Sequence, residues 1–208
     1  YKDVSNRISK LWNMKDSDPD AATRLELLME KRANIIKNAE AKYDELERIL
    51  DDLEAKGRIE NLIIFVSPQQ ILQVLDILNN RGIISHKLTE KEGTKAEKRY
   101  NNKSERVAII AKFKAGVYQA LIAIKCMDEG IDIPTADLGI LMASSTNPRE
   151  YVQRIGRIIR QAPDKKFANL YDICVDTIAD LDDDSIVLER KIKAKEQIRL
   201  KEIAENAI

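Results

Sequence analysis

The sequence predicts an α/β fold: a doubly wound parallel sheet, preceded by a helical segment and followed by a charged helix. Three observations carry this. Short apolar runs of strand length alternate with stretches of helical periodicity. The runs are apolar throughout, as strands buried on both faces require. Capping residues that open helices follow two of the runs, at Ser67 and Asn147. Alternating strands and helices imply right-handed crossovers and a ligand-facing edge at the carboxyl ends of the strands.

Residues 1–57 read as helical, in two pieces separated near Asp16, Ser17, Asp18, Pro19 and Asp20. The second piece is expected from about Ala21 to Lys56, with Leu25, Leu28, Ile36, Tyr43, Leu46, Leu50 and Leu53 among its apolar positions and Gly57 as its stop. Leu62 to Val66 is the first strand. Ser67 then suits the N-cap, Pro68 the first helical position and Gln70 the capping box, for a helix running to Gly82. Ile83 to Leu88 is a shorter strand. Residues 89–103 are polar and read as a loop or partial helix. Ser104 caps a helix to Lys114 in which Val107, Ile110, Ala111 and Phe113 are expected to serve the core. Strands follow at Ala120–Ile124, Leu138–Met142 and Ala168–Val175, with a helix from Asn147 to about Arg160 before the last of them. Residues 185–206 read as an exposed charged helix after an acidic turn (Asp176, Asp180, Asp182, Asp183, Asp184). The expected divisions are 1–57, a helical linker segment; 58–180, the α/β lobe; and 181–208, the C-terminal helix.

The 208 residues suit one α/β domain with appended helices. Lys+Arg and Asp+Glu both total 35, so bulk charge points to no partner and any nucleic-acid contact must be local. Residues 87–116 are such a patch, with nine Lys/Arg against four acids. Lys95, Lys98, Arg99 and Lys103 within it could track a phosphate backbone, or the stretch could be a solvated loop. Cys126 and Cys174 form no CxxC pair, and His86 is the one histidine, which argues against zinc; the cysteines either bridge or remain thiols. No apolar run reaches the roughly 18 residues of a membrane span. The sequence opens Tyr1-Lys2-Asp3 without a signal-peptide pattern, so it reads as a piece of a longer cytoplasmic protein.

The chemistry concentrates in residues 153–160. On a helix, Gln153, Arg157 and Arg160 fall within roughly 60° of one another, opposite Val152, Ile155, Ile158 and Ile159. Two guanidiniums at i and i+3 suit an anion with several oxygens, triphosphate above all. A lone pair of this kind would more simply be the solvated side of an amphipathic helix. Here the whole octet resembles motif VI of superfamily 2 helicases, Q-R-x-G-R-x-x-R. Leu62–Val66 resembles motif IV of that family, and residues 120–134, ALIAIKCMDEGIDIP, resemble motif V. The resemblance covers about residues 60–175, in family order. Residues 25–46 also resemble the linker of bacterial restriction- and repair-type DEAD/DEAH members.

The resemblance implies a RecA-like C-terminal lobe. Arg157 and Arg160 would be arginine fingers toward the γ-phosphate of ATP held by an N-terminal lobe. Gln153 would couple the nucleotide to lobe closure, Asp132 would approach the ribose, and Gly130 would allow close backbone approach. As bare residues, Gly130 could serve only a turn and Asp132 only a loop cap. Where many members carry a hydroxyl that contacts nucleic acid in motif V, this chain has Ile124 or Lys125, and Lys125 could take over a phosphate contact. No P-loop sequence and no strand-borne Asp-Glu box occur, so ATP and Mg²⁺ would be held mainly by the other lobe, and the chain alone should not hydrolyse ATP. The expected role is the motor lobe of a DNA helicase or translocase. Gln at the head of motif VI leans away from the RNA-directed DEAD-box group; an RNA helicase lobe and a non-catalytic interaction module are the alternatives.

Overall fold

The computed structural model describes residues 1–14, 18–89, 91–93, 95–124, 133, 136–143, 167–175, 190, 193–194, 197–198 and 201. In chain order the elements are α1 (Lys2–Trp12), α2 (Pro19–Lys37), α3 (Ala41–Ala55), β1 (Leu62–Phe65), α4 (Ile71–Asn80), β2 (Ser85–Leu88), β3 (Ala96–Glu97), a 3₁₀ turn (Lys98–Tyr100), β4 (Lys103–Ser104), α5 (Glu105–Lys114), β5 (Ala120–Ala123), β6 (Leu138–Leu141) and β7 (Asn169–Asp172). The chain forms two compact units: residues 1–39 with 174–201, and a second built on residues 40–173.

Five strands form one parallel sheet in the order β2-β5-β1-β6-β7. The expected doubly wound α/β fold is therefore present. Strand β1 is the centre, and all four of its residues are buried, as its unbroken apolar run predicts. Alternation along the strands sorts the core into two layers. Leu62, Ile64, Ala120, Ile122, Leu138 and Ile140 face Leu46, Leu50 and Leu53 of α3 and Val74 and Leu78 of α4. Ile63, Phe65, Leu88, Leu121, Ala123 and Leu141 face Ile109 and Phe113 of α5.

The expected 21–56 helix is in fact two. Asn38 ends α2 by turning its side-chain amide onto the Asn34 carbonyl, 2.9 Å away, the local hydrogen bond by which Asn competes with helix continuation. The apolar periodicity runs across this break because each helix has an apolar face of its own. Helix α3, grouped by sequence with the N-terminal segment, packs on the sheet. Arg81 at the end of α4 clamps it there, reaching Asp51 at 2.6 Å and Glu54 at 3.1 Å. Burial opposes the Arg81 charge, but the hydrogen bond to Asp51 and the fields of Asp51, Glu54 and Glu47 outweigh it and raise its pKa.

Two further expectations need correction. Helix α4 begins at Ile71, after a turn at 68–70, and the Gln70 part of the capping box is present: Gln70 Oε1 accepts the Ser67 N–H at 2.9 Å. Helix α5 buries Arg106, Ile109 and Phe113, while Val107 and Ala111 are exposed. Phe113 is in the core as expected and Ile110 packs half-buried against it, but Val107 and Ala111 are not, and Arg106 takes an inward position that hydrophobicity alone would not assign. Ser104 does cap α5, accepting the Val107 N–H at 3.3 Å.

Helices α3, α4 and α5 end alike. After each, a glycine (Gly57, Gly82, Gly116) adopts φ between 61° and 72°. The residue after it donates back to the carbonyl five positions earlier, as Ile83 does to Leu78 at 2.9 Å. In the first unit, α1 and α2 pack through Val4, Ile8, Leu25 and Leu28. Asp18 caps α2 by accepting the Asp20 N–H at 2.9 Å, next to Pro19 at the helix start. The described residues of the expected C-terminal helix (Arg190, Lys193, Ala194, Gln197, Ile198, Lys201) are helical and exposed. Cys174 is a half-buried thiol. Among the described residues no helix is long and apolar enough to cross a membrane.

Replacing Phe113 with Ala should cost about 3–5 kcal/mol, read as a lower urea midpoint, because it empties the α5 side of the core. Gly82→Ala should cost about 1–2 kcal/mol from backbone strain alone, since open space surrounds the position.

Candidate functional site

In a sheet covered on both faces, polar side chains can approach the backbone only where strands end. Among the described residues, seven polar or charged side chains are buried, and six of them (Lys42, Ser67, Gln70, Thr89, Glu92, Arg106) belong to the sheet unit. All six collect at its carboxyl edge. Ser67 and Gln70 follow β1. Thr89 and Glu92 follow β2, and Arg106 reaches back from α5 to donate to the Thr89 carbonyl at 3.2 Å. Lys42 on α3 donates to the Met142 carbonyl just past β6, at 2.7 Å. The backbone ladder runs on past the strands at the same edge: Val66 N–H donates to the Ala123 carbonyl at 3.0 Å, and those of Met142 and Ala143 donate to the Phe65 carbonyl at 2.9 and 3.1 Å.

The basic stretch after β2 is folded. Thr89-Glu90-Lys91-Glu92 has the spacing of a capping box without a regular helix behind it. Glu92 accepts the Thr89 N–H, and the Thr89 hydroxyl accepts that of Lys91 at 3.1 Å. Strands β3 and β4 then pair antiparallel around the 3₁₀ turn, with Asn101 and Asn102 in left-handed conformation. Glu105 locks this cap to α5, taking the Gly93 N–H at 3.1 Å and the Tyr100 hydroxyl at 2.8 Å. The Gly93 amide first and the Tyr100 hydroxyl second hold the Glu105 carboxyl below the ordinary carboxylate range. Donating to Glu105 in turn raises the Tyr100 pKa.

Of the residues singled out by sequence, Lys95, Lys98, Arg99 and Lys103 lie on this cap and are exposed. Arg99 is engaged internally: its Nε lies 2.6 Å from Glu97 Oε2, and its guanidinium sits over the Tyr100 ring, 4.7 Å from the centroid. The cap therefore presents, with Lys91, four exposed lysines and one arginine already held by a carboxylate. Lys125, Gly130, Asp132, Gln153, Arg157 and Arg160 lie outside the described residues. The sequence places them directly: residues 125–132 follow the carboxyl end of β5, and 144–160 follow that of β6. Those two strands flank β1.

Sequence reasoning missed Lys42, Thr89, Glu92, Glu105 and the inward role of Arg106. For Lys42 a signal existed: it lies one helical turn before Leu46, on the buried Leu46–Leu50–Leu53 stripe. For Thr89 and Glu92 the T-x-x-E spacing was readable.

The chain matches the helicase conserved C-terminal domain over residues 41–162, more than half its length, and it belongs to that family. Among curated proteins it is similar to the DNA 3'-5' translocase XPB2 of Sulfurisphaera tokodaii, 29% identical over 167 residues, covering 76% of this chain and 34% of that protein. It is also similar to DEAD-box ATP-dependent RNA helicase 36 of Arabidopsis thaliana, 35% identical over 130 residues, covering 61% of this chain and 24% of that protein. The chain thus spans about a third or less of these relatives. The C-terminal part of the Fun30 ATPase domain shares its fold, with a TM-score of 0.53 at 21% identity over 77% of this chain and 54% of that one.

Because the folded pKa of Glu105 is depressed, its stabilising contribution is complete above the ordinary carboxylate pKa and is lost as pH falls through the depressed value. Lowering pH from about 5 to about 3 should speed amide exchange at Gly93, after correction for intrinsic rates. Glu105→Ala should show the fast exchange already at the higher pH. Equal protection of Gly93 in that variant would remove Glu105 as the lock.

Proposed function

We propose that this chain is the C-terminal motor lobe of an ATP-dependent DNA helicase or translocase, inactive without an N-terminal lobe. One observation carries the reading. Strands β5 and β6 lie on either side of the central strand, the stretch resembling motif V begins as β5, and the sequence past β6 leads on to the octet resembling motif VI; the carboxyl ends of such strands are the edge where sheets of this winding take ligands.

The donor set suits phosphate. The two guanidiniums of Arg157 and Arg160 carry only donors, and the Gln153 amide adds two N–H donors beside its one carbonyl oxygen. Mg²⁺ would accordingly arrive with the nucleotide on the other lobe. Bound ATP supplies the γ-phosphoryl group whose transfer to water drives the motor. Arg157 and Arg160 neutralise charge on that group when the lobes close; Gln153 couples the nucleotide to closure. Asp132 meets the ribose, and Gly130 leaves room for the backbone. Lys125, Lys95, Lys98, Arg99 and Lys103 contribute to a phosphate-tracking groove, with Arg99 the weakest member because Glu97 already offsets its charge. DNA is favoured by Gln at the head of motif VI and by the DNA translocase among the relatives. The RNA helicase among them supplies the second reading, RNA.

In the intact motor, Arg157→Ala should lower ATP turnover by about 10³-fold or more while DNA affinity stays within about threefold. Unchanged turnover would remove the finger assignment. Stimulation of the ATPase by single-stranded DNA, duplex DNA and RNA, compared side by side, decides the substrate. Changing Lys95, Lys98 and Lys103 together to Ala should flatten the plot of log affinity against log salt by about two to three units. An unaltered slope would take the cap out of the groove.

A further inference from the structure

The edge of the Arg99 guanidinium is held by a carboxylate, but one of its flat faces is left open. Its Nε lies 2.6 Å from Glu97 Oε2, and its Nη2 donates to Glu97 Oε1 at 3.3 Å. Two parallel contacts of this kind fix the plane of a guanidinium. That plane lies over the Tyr100 ring, 4.7 Å from the centroid. The Arg99 side chain is still 63% exposed, so the face turned away from the ring meets solvent.

The neighbours of Arg99 are themselves fixed. Glu97 stands on β3, paired with Lys103 of β4. Asn101 and Asn102, both left-handed, reverse the chain and donate to the Lys98 and Glu97 carbonyls, each at 3.1 Å. The Tyr100 hydroxyl is tied to Glu105, which also holds the Gly93 amide. An exposed Arg–Glu pair contributes little to stability, so stability alone gives no strong reason for this support.

The open face selects its own ligand. A phosphate placed there meets the Glu97 carboxylate along with the guanidinium, and the two charges largely offset each other. A neutral planar ring meets no such opposition, and guanidinium planes stack on nucleobases. Lys95, Lys98 and Lys103, exposed on the same cap, can meet the phosphates of the same strand. In a duplex the faces of a base are covered by its neighbours, so the base must be unpaired to offer one.

We propose that Arg99, held flat by Glu97 over Tyr100, is a stacking platform for one unpaired base of single-stranded DNA. Arg99 then reads the presence of a base, where the surrounding lysines bind only backbone. The role rests on the reading of the cap as part of a nucleic-acid groove.

The experiment measures binding of the intact protein to a single-stranded oligothymidylate and to an abasic strand of equal length, which has the same phosphates and no bases. The wild type should prefer the base-bearing strand. Arg99→Lys keeps the charge and loses the plane, so its preference should fall roughly fivefold or more, with affinity for the abasic strand within about twofold. Glu97→Gln removes the opposing charge and loosens the plane. It should bind the abasic strand about two- to threefold more tightly and yet show a weaker preference for bases. An undiminished preference in Arg99→Lys would overturn the proposal. So would an equal loss on both strands in that variant, which marks a structural role, or an equal gain on both in Glu97→Gln, which marks a plain phosphate contact. A wild type that binds both strands equally sinks the platform and leaves the groove standing; one that binds neither sinks the groove, and the platform with it.

Discussion

A parallel sheet covered on both faces must satisfy its strand ends without help from solvent above or below. That constraint organises this molecule. Strand β1 is buried along its whole length, and its neighbours carry the backbone ladder one or two residues past the last strand position. Beyond that point the backbone groups need other partners, because an unpaired buried amide or carbonyl costs as much as a lost hydrogen bond. The side chains that supply them are Gln70 for the Ser67 amide, Glu92 for the Thr89 amide, Arg106 for the Thr89 carbonyl and Lys42 for the Met142 carbonyl. The buried polar groups of the sheet unit gather at one edge because the fold exposes its own backbone there.

The cap between β2 and α5 shows how little composition says about a charged stretch. Nine bases against four acids suggest a diffuse positive surface. Three of the acids are the ones that build the cap: Glu92 holds Thr89, Glu97 holds Arg99, and Glu105 ties Gly93 and Tyr100 to α5. Arg106 is drawn inward by the Thr89 carbonyl. What remains outward is a smaller set of lysines on a folded support. A charge held on such a support loses less freedom on meeting a phosphate than one on a mobile loop.

Elements whose reason for existing lies in neighbouring residues were legible. The apolar runs of β1, β5 and β6, the Ser104 cap and the glycine stops at Gly57 and Gly82 all follow from local chemistry. Features decided by residues distant in sequence were not. The inward turn of Arg106 depends on a carbonyl 17 positions away, and that of Lys42 on one 100 positions away. The break at Asn38 escaped for a different reason, since an apolar period can continue across two helices that each bury a face. For the candidate site, the octet and the motif V stretch were visible as patterns of residue types. That the two strands leading to them lie on either side of β1 needed the strand order, because the pairing of β1 with both β5 and β6 is a long-range fact.

Lys42, Glu92 and Arg106 share one more property: each is tied to main-chain atoms of a strand end or the turn after it. A bond between two long side chains locates neither very well, because both can move together. A bond to a backbone atom inherits the position of the sheet, which the parallel ladder fixes to fractions of an ångström. Glu92 and Arg106 thereby give the cap between β2 and α5 a fixed base on the sheet, and the side chains that the cap turns outward stand on that base.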